Sequence, residues 1–163
     1  MYTLPVSYSK KTEFMTRDTA RELAVQLVFN ITHSDSDPAE LIDDFFSEEH
    51  YSSLQEENSF YSEAPDDSAA AYIRETALGV CEHLQEIDDI IQKYSASWHI
   101  TRISGTALAV LRVAVFEILY RSDVPVGAAI NSAVEIDKHY DEPETAAFVN
   151  GVLGGFVRGE GKA

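Results

Sequence analysis

The chain is short of cysteine and of positive charge, and each shortage excludes something. Its one cysteine, Cys81, has no mate for an internal disulfide, which points to a reducing compartment, the cytoplasm. Twelve Lys and Arg face 28 Asp and Glu, for a net charge of −16 at pH 7. A field of that sign repels nucleic acid and favours basic partners unless the few cations gather in one place. No Lys or Arg stands between Arg21 and Arg74, and residues 35–67 hold twelve acidic side chains. That run reads first as a solvated face and second as a docking surface for a basic partner. No segment supplies the roughly 20 apolar residues a membrane span requires, and Met1 to Phe14 lack the apolar core of a signal peptide. The frames of common catalysts are missing too: no glycine-rich phosphate loop, HExxH, cysteine pair or nucleophile elbow. Cys81 and His83, two apart on a predicted helix, face different ways, and the adjacent pairs Asp88-Asp89 and Glu56-Glu57 read as solvated charge. No catalytic residue, metal site or cofactor is assigned, and the chain does not read as an enzyme.

At 163 residues and 45% apolar composition, the chain suits one domain burying about two thirds of its unfolded surface. Its organising stretch is SGTALAVLRVAVFEILYR, 104–121, where only Arg112 and Glu117 are charged between Ser104 and Arg121. A helix apolar nearly all round is buried on several sides. Ser104 caps it, and Arg112 is expected to pair internally with a carboxylate. Ahead of it, residues 1–15 show no helical period and read as a flexible extension, with Met15 as an alternative start. Thr16 caps a first helix over 16–33, whose stripe is Ala20, Leu23, Ala24, Leu27 and Ile31. A second line on that helix runs Arg17, Arg21, Val25, Phe29, from basic to apolar. Pro38 opens a short helix carrying Leu41, Ile42, Phe45 and Phe46, and 50–65 reads as a loop. One long helix is predicted over 66–94, with Asp66, Asp67 and Ser68 at its start. Residues 98–103 form a link. Helices at 125–139 and from Pro143 follow, the last weakened at its end by Gly154, Gly155 and Gly159, with 159–163 as tail. Without strand-length alternation anywhere, the fold class is all-α.

Arg17 and Arg21, helped by Lys10 and Lys11, are the densest basic group. The stretch RDTARELAVQLVF, 17–29, resembles the first-helix signature of the NusB family of bacterial transcription antitermination factors. WHITRI (98–103) with LAVLRVAVFEILYR (108–121) resembles that family's central motif. DVPVGAAINSAVEIDKHYD (123–141) and FVNGVL (148–153) complete the pattern in order, so that the similarity covers 16–158. It implies about seven helices in two packed bundles around the buried central helix. It also implies binding of boxA-type single-stranded RNA from ribosomal RNA leaders together with NusE, a ribosomal small-subunit protein, within the RNA polymerase antitermination complex. By position, RNA contacts fall to Arg17, Arg21, Gln26 and Phe148, and contacts to NusE to Val25 and Phe29. The fold also admits a homodimer. Two other readings are a protein–protein adaptor that keeps the fold without RNA affinity and the RNA-binding part of a ribosomal RNA methyltransferase. Asp18 stands where the family often has a cation, Ser132 and Asp137 where it has Glu and Ala, and Ala107 and Leu108 where charges are common. With about two to four phosphates neutralised, the expected single-strand salt slope is about −1.5 to −3, so RNA binding by the protein alone should be weak.

Overall fold

In the computed structural model the described residues are 15–47, 65–96 and 98–162, and they contain seven α-helices and no strand. Residues 1–14 of the expected extension, with Lys10 and Lys11, and residues 50–64 of the loop expected over 50–65 lie outside them. The helices are α1 (Arg17–Thr32), α2 (Pro38–Phe45), α3 (Asp67–Glu82), α4 (Leu84–Tyr94), α5 (Gly105–Tyr120), α6 (Val126–Lys138) and α7 (Pro143–Gly159). A single 3-10 turn, Ile100–Arg102, joins α4 to α5.

Helix α5 is the axis of the fold. It packs against α1, α3, α4, α6 and α7, and Ala107, Ala109, Val110, Leu111, Val113, Ala114 and Val115 are all buried. Each fully buried Val or Leu contributes about 1.5–3 kcal/mol relative to exposure, so the absence of a polar face follows from neighbours on every side. Helices α1, α2 and α3 pack on one another, α4, α6 and α7 on the other flank, and α5 belongs to both bundles.

Local chemistry sets the helix starts. Thr16 Oγ1 accepts from Thr19 N–H at 3.1 Å, and Ser104 Oγ accepts from Ala107 N–H at 3.1 Å, each satisfying an otherwise orphaned donor. Asp66 stands at the N-cap of α3 and Asp67 in its first turn, as the sequence reading placed them. Asp66 makes no side-chain cap on α3, and its Oδ1 accepts from the Met15 backbone N–H at 3.1 Å, joining the start of α1 to the start of α3.

The predicted single helix over 66–94 is two helices. At His83 the backbone leaves helical torsions (φ −114°, ψ 22°), and the imidazole stacks on Tyr120 with centroids 4.2 Å apart. The break comes where the chain passes from one bundle to the other, since α3 packs on α1 and α2 whereas α4 packs on α7. Tertiary packing forces it, with no proline or glycine at the site. The glycines expected to weaken α7 do not end it early, for the helix runs through Gly159. Beyond it, Glu160 accepts from Tyr94 Oη at 2.5 Å and from Lys93 Nζ at 3.0 Å, fastening the last turn to α4.

Candidate nucleic-acid and partner interface

The middle of α1 faces inward. Arg21 is only 4% exposed and Glu117 of α5 is fully buried. Arg21 Nε donates to Glu117 Oε1 at 2.7 Å and Nη2 to Oε2 at 3.1 Å, a two-pronged pair. Its Nη1 donates to Ser132 Oγ at 2.6 Å and to Asp18 Oδ1 at 3.0 Å, and Ser132 Oγ donates to Asp18 Oδ1 at 2.5 Å. Tyr72 Oη of α3 completes the shell on Glu117 Oε2 at 2.8 Å. Burial alone would lower the Arg21 pKa, but the hydrogen bond and charge of Glu117 more than reverse it, and the guanidinium stays charged. Burial, then the Glu117 charge, raise the Tyr72 phenol, which stays protonated as donor. The other charge of α5 is also paired inside. Arg112 Nε and Nη2 donate to Asp88 Oδ1 and Oδ2 at 2.8 and 2.9 Å, so the internal pairing expected for Arg112 holds and Asp88 is not solvated charge.

Arg17, one turn earlier, lies on the surface. Its guanidinium sits 4.3 Å above the Tyr72 ring and 3.7 Å from Asp123, and its side chain is 40% exposed.

The C-terminal half of α1 forms a groove with the start of α5 and the end of α6. Val25, Gln26, Phe29, Asn30, Thr106 and Tyr140 line it, enclosing about 280 Å³. Val25 is buried at its floor. Gln26 Nε2 donates to Tyr140 Oη at 2.9 Å, and Tyr140 Oη donates to Glu22 Oε2 at 2.6 Å. Phe29 stacks on His33 with centroids 4.2 Å apart, and both rings come close to Gly105, where a Cβ would meet Phe29 at 2.8 Å and His33 at 3.2 Å. Glycine at the first position of α5 therefore shapes the groove wall.

A second concavity opens beside the first, across the N-terminus of α5. Trp98, Arg102, Ile103, Ser104, Thr145 and Phe148 line it together with Glu144. Ser104 belongs to this cleft and Thr106 to the groove, two residues apart on the first turn of α5.

The sequence profile of the NusB family matches residues 18–158. The chain belongs to the NusB family. A transcription antitermination protein NusB of Thermoanaerobacter sp. (strain X514) is 35% identical over 147 residues, which cover 90% of this chain and 94% of that protein. The NusB of Myxococcus xanthus (strain DK1622) is 36% identical over 137 residues, covering 84% and 91%. Among solved structures, T. maritima NusB superposes with a TM-score of 0.74 at 27% identity over 89% of this chain and 92% of that one. The antitermination factors NusB and NusE solved with double-stranded RNA show the same fold, with a TM-score of 0.69 at 24% identity over 88% of this chain and 96% of that one.

Against this NusB frame the site residues read from the sequence separate into four settings. Val25, Gln26 and Phe29 share the groove, and Phe148 lies in the neighbouring cleft. Arg17 is nine residues, about 14 Å along the helix, from Gln26. Arg21 is corrected outright: its charge is committed to Glu117 inside the protein, so it offers no surface contact. Trp98, Arg102, Thr106 and Tyr140 were not singled out. A signal for the first two was present, since the only tryptophan of the chain stands four residues from an arginine in WHITR.

Proposed function

We propose that this protein is a transcription antitermination factor that binds boxA-type single-stranded RNA together with NusE and joins the RNA polymerase antitermination complex. One observation carries the reading. In a chain of net charge −16, the groove at the start of α5 is lined by Val25, Gln26, Phe29, Asn30, Thr106 and Tyr140, without a carboxylate. It is the kind of neutral, aromatic surface on which a partner protein and an RNA strand can both rest despite the overall field. Gln26 and Phe148 are assigned to RNA, Arg17 to a phosphate, and Phe29, above Val25, to NusE. The family membership and the solved relative holding NusE and double-stranded RNA support the same assignment. Binding is the whole of the activity proposed. The setting that goes with this role is the cytoplasm, where a bacterial RNA polymerase works; among the described residues no helix is long and apolar enough to cross a membrane.

The test is fluorescence anisotropy of a labelled boxA RNA titrated with this protein, with and without NusE, at two salt concentrations. Tight binding only when both proteins are present is the expected result, weakened by Phe148→Ala and Gln26→Ala. Binding to NusE with no RNA retained would overturn it in favour of a protein–protein adaptor. Arg21→Ala is unsuitable as an RNA-binding variant, because it removes a buried charge partner.

A further inference from the structure

We propose that Trp98 and Arg102 form an RNA subsite beside Phe148, in which one unstacked base lies on the indole and its phosphate meets the guanidinium. The proposal rests on the RNA-binding reading above and adds two residues to it.

Trp98 is 52% exposed, yet both its backbone N–H and its carbonyl are hydrogen-bonded, and the chain just after it is tied as well. The Trp98 N–H donates to the Ser95 carbonyl at 3.0 Å, and the Gln92 side-chain amide donates to the Trp98 carbonyl at 3.1 Å. The same Gln92 amide accepts from the Ile100 N–H at 2.9 Å. Just upstream, Ala96 adopts φ +56°, the only positive-φ non-glycine residue among those described, a conformation that side chains enter at some cost and that turns the chain out of α4. A large aromatic ring is thus displayed on a fixed base, already ordered for stacking, and little entropy remains to be lost on binding.

The Phe148 ring stands 5.5 Å from the indole at 40°, too close to admit a base between them. Phe148 therefore acts as the wall and Trp98 as the platform. The cleft encloses about 210 Å³. Arg102 is exposed on its rim and makes no ion pair among the described residues. Among the described residues it shares that state with Arg158, whereas the other five arginines, Arg17, Arg21, Arg74, Arg112 and Arg121, all have carboxylate partners. Two helix starts also border the cleft, Ser104 capping α5 and Glu144 with Thr145 in the first turn of α7. Their positive dipole ends favour an anion there and partly offset the two carboxylates at those starts, Glu144 in the lining and Asp141, which accepts from Ser104 Oγ at 3.3 Å. Aromatic platform, unpaired cation and helix starts together match the chemistry of single-strand recognition, in which bases stack and cations follow the backbone.

The experiment uses the full chain carrying 5-fluorotryptophan, whose one indole gives one fluorine signal, in complex with unlabelled NusE. A fluorescein-labelled boxA RNA is read by anisotropy in parallel. On RNA addition the Trp98 signal should shift. Trp98→Ala should weaken RNA binding about 5- to 150-fold, the range of one lost base stack, while Trp98→Phe recovers most of it. Arg102→Gln should reduce the salt slope by about 0.7, one phosphate contact. NusE binding and thermal midpoint, unchanged in all three variants, serve as the fold control. RNA bound by anisotropy with a still fluorine signal and unchanged Trp98→Ala affinity would overturn the subsite and leave the broader reading intact. No RNA binding by the wild-type complex would overturn both.

Discussion

Arg21 keeps a full charge inside the protein, and its removal should show how strongly the fold depends on that. Glu117 has no access to solvent, so Arg21→Ala leaves a buried carboxylate with only Tyr72 as donor. The expected loss is about 3–5 kcal/mol in urea unfolding. Tyr72→Phe removes one hydrogen bond to the same carboxylate and should cost less, about 1–3 kcal/mol. Arg17→Ala, on the surface, should leave stability within about 0.5 kcal/mol of wild type. A second buried group sets a pH dependence. The oxygens of Asp137 find no hydrogen-bond donor among the described residues, and the carboxyl of Asp141, which accepts from Ser104 Oγ at 3.3 Å, is its neighbour. Burial first, then the neighbouring Asp141 carboxyl, push Asp137 up from 3.8 to about 7. Between those values the folded protein keeps a proton that the unfolded chain has released. Its contribution to stability is therefore full below about pH 4, declines as pH rises, and is gone above about pH 7. In Asp137→Asn that decline should vanish from a plot of thermal midpoint against pH, with the variant the more stable of the two at pH 8. An unchanged slope would show that Asp137 is ionised in the fold.

Among the elements, the crossing of α3 and α5 depends on one missing side chain. A Cβ on Gly79 would stand 2.2 Å from the Phe116 ring, so the helices approach there as closely as backbone and ring allow. Gly79→Ala should gain helix propensity yet lose about 1–3 kcal/mol through overpacking, and Phe116→Leu in the same chain should restore much of that. If Gly79→Ala alone raises the thermal midpoint, the crossing is looser than a 2.2 Å approach of Cβ to the ring implies. The helices themselves were largely legible in the sequence, because apolar spacing, Thr16, Ser104 and the two Asp-x-Pro and Asp-Glu-Pro restarts are local signals. The break at His83 was not, since the stripe from Val80 to Ile87 continues across it and its cause lies in α7 and Tyr120. Nor was the interior position of Arg21, whose partner is 96 residues away. One clue was present: Arg21 shares a helix line with Val25, and that line is buried at both. The groove was half legible, since Val25, Gln26 and Phe29 lie within one turn of α1 but Thr106 and Tyr140 reach it only through the packing of α5 and α6.

For the molecule as a whole, withdrawal of Arg21 lowers the number of cations available to RNA. With about one to three phosphates neutralised, the single-strand salt slope should fall to about −0.7 to −2, measured as the log of affinity against the log of salt. A steeper slope for the isolated protein would require cations outside the described residues. The two charges of α5 have a further consequence. Arg112 is tied to Asp88 of α4, and Glu117, five residues on and about 140° round the helix, is tied to Arg21 of α1 and Tyr72 of α3. A rod pinned at two azimuths can neither roll nor slide by one turn without breaking both ties. Amide hydrogens between Arg112 and Glu117 should then exchange with deuterium only when the entire domain unfolds, at one shared rate set by global stability, while those of α2 exchange earlier and independently.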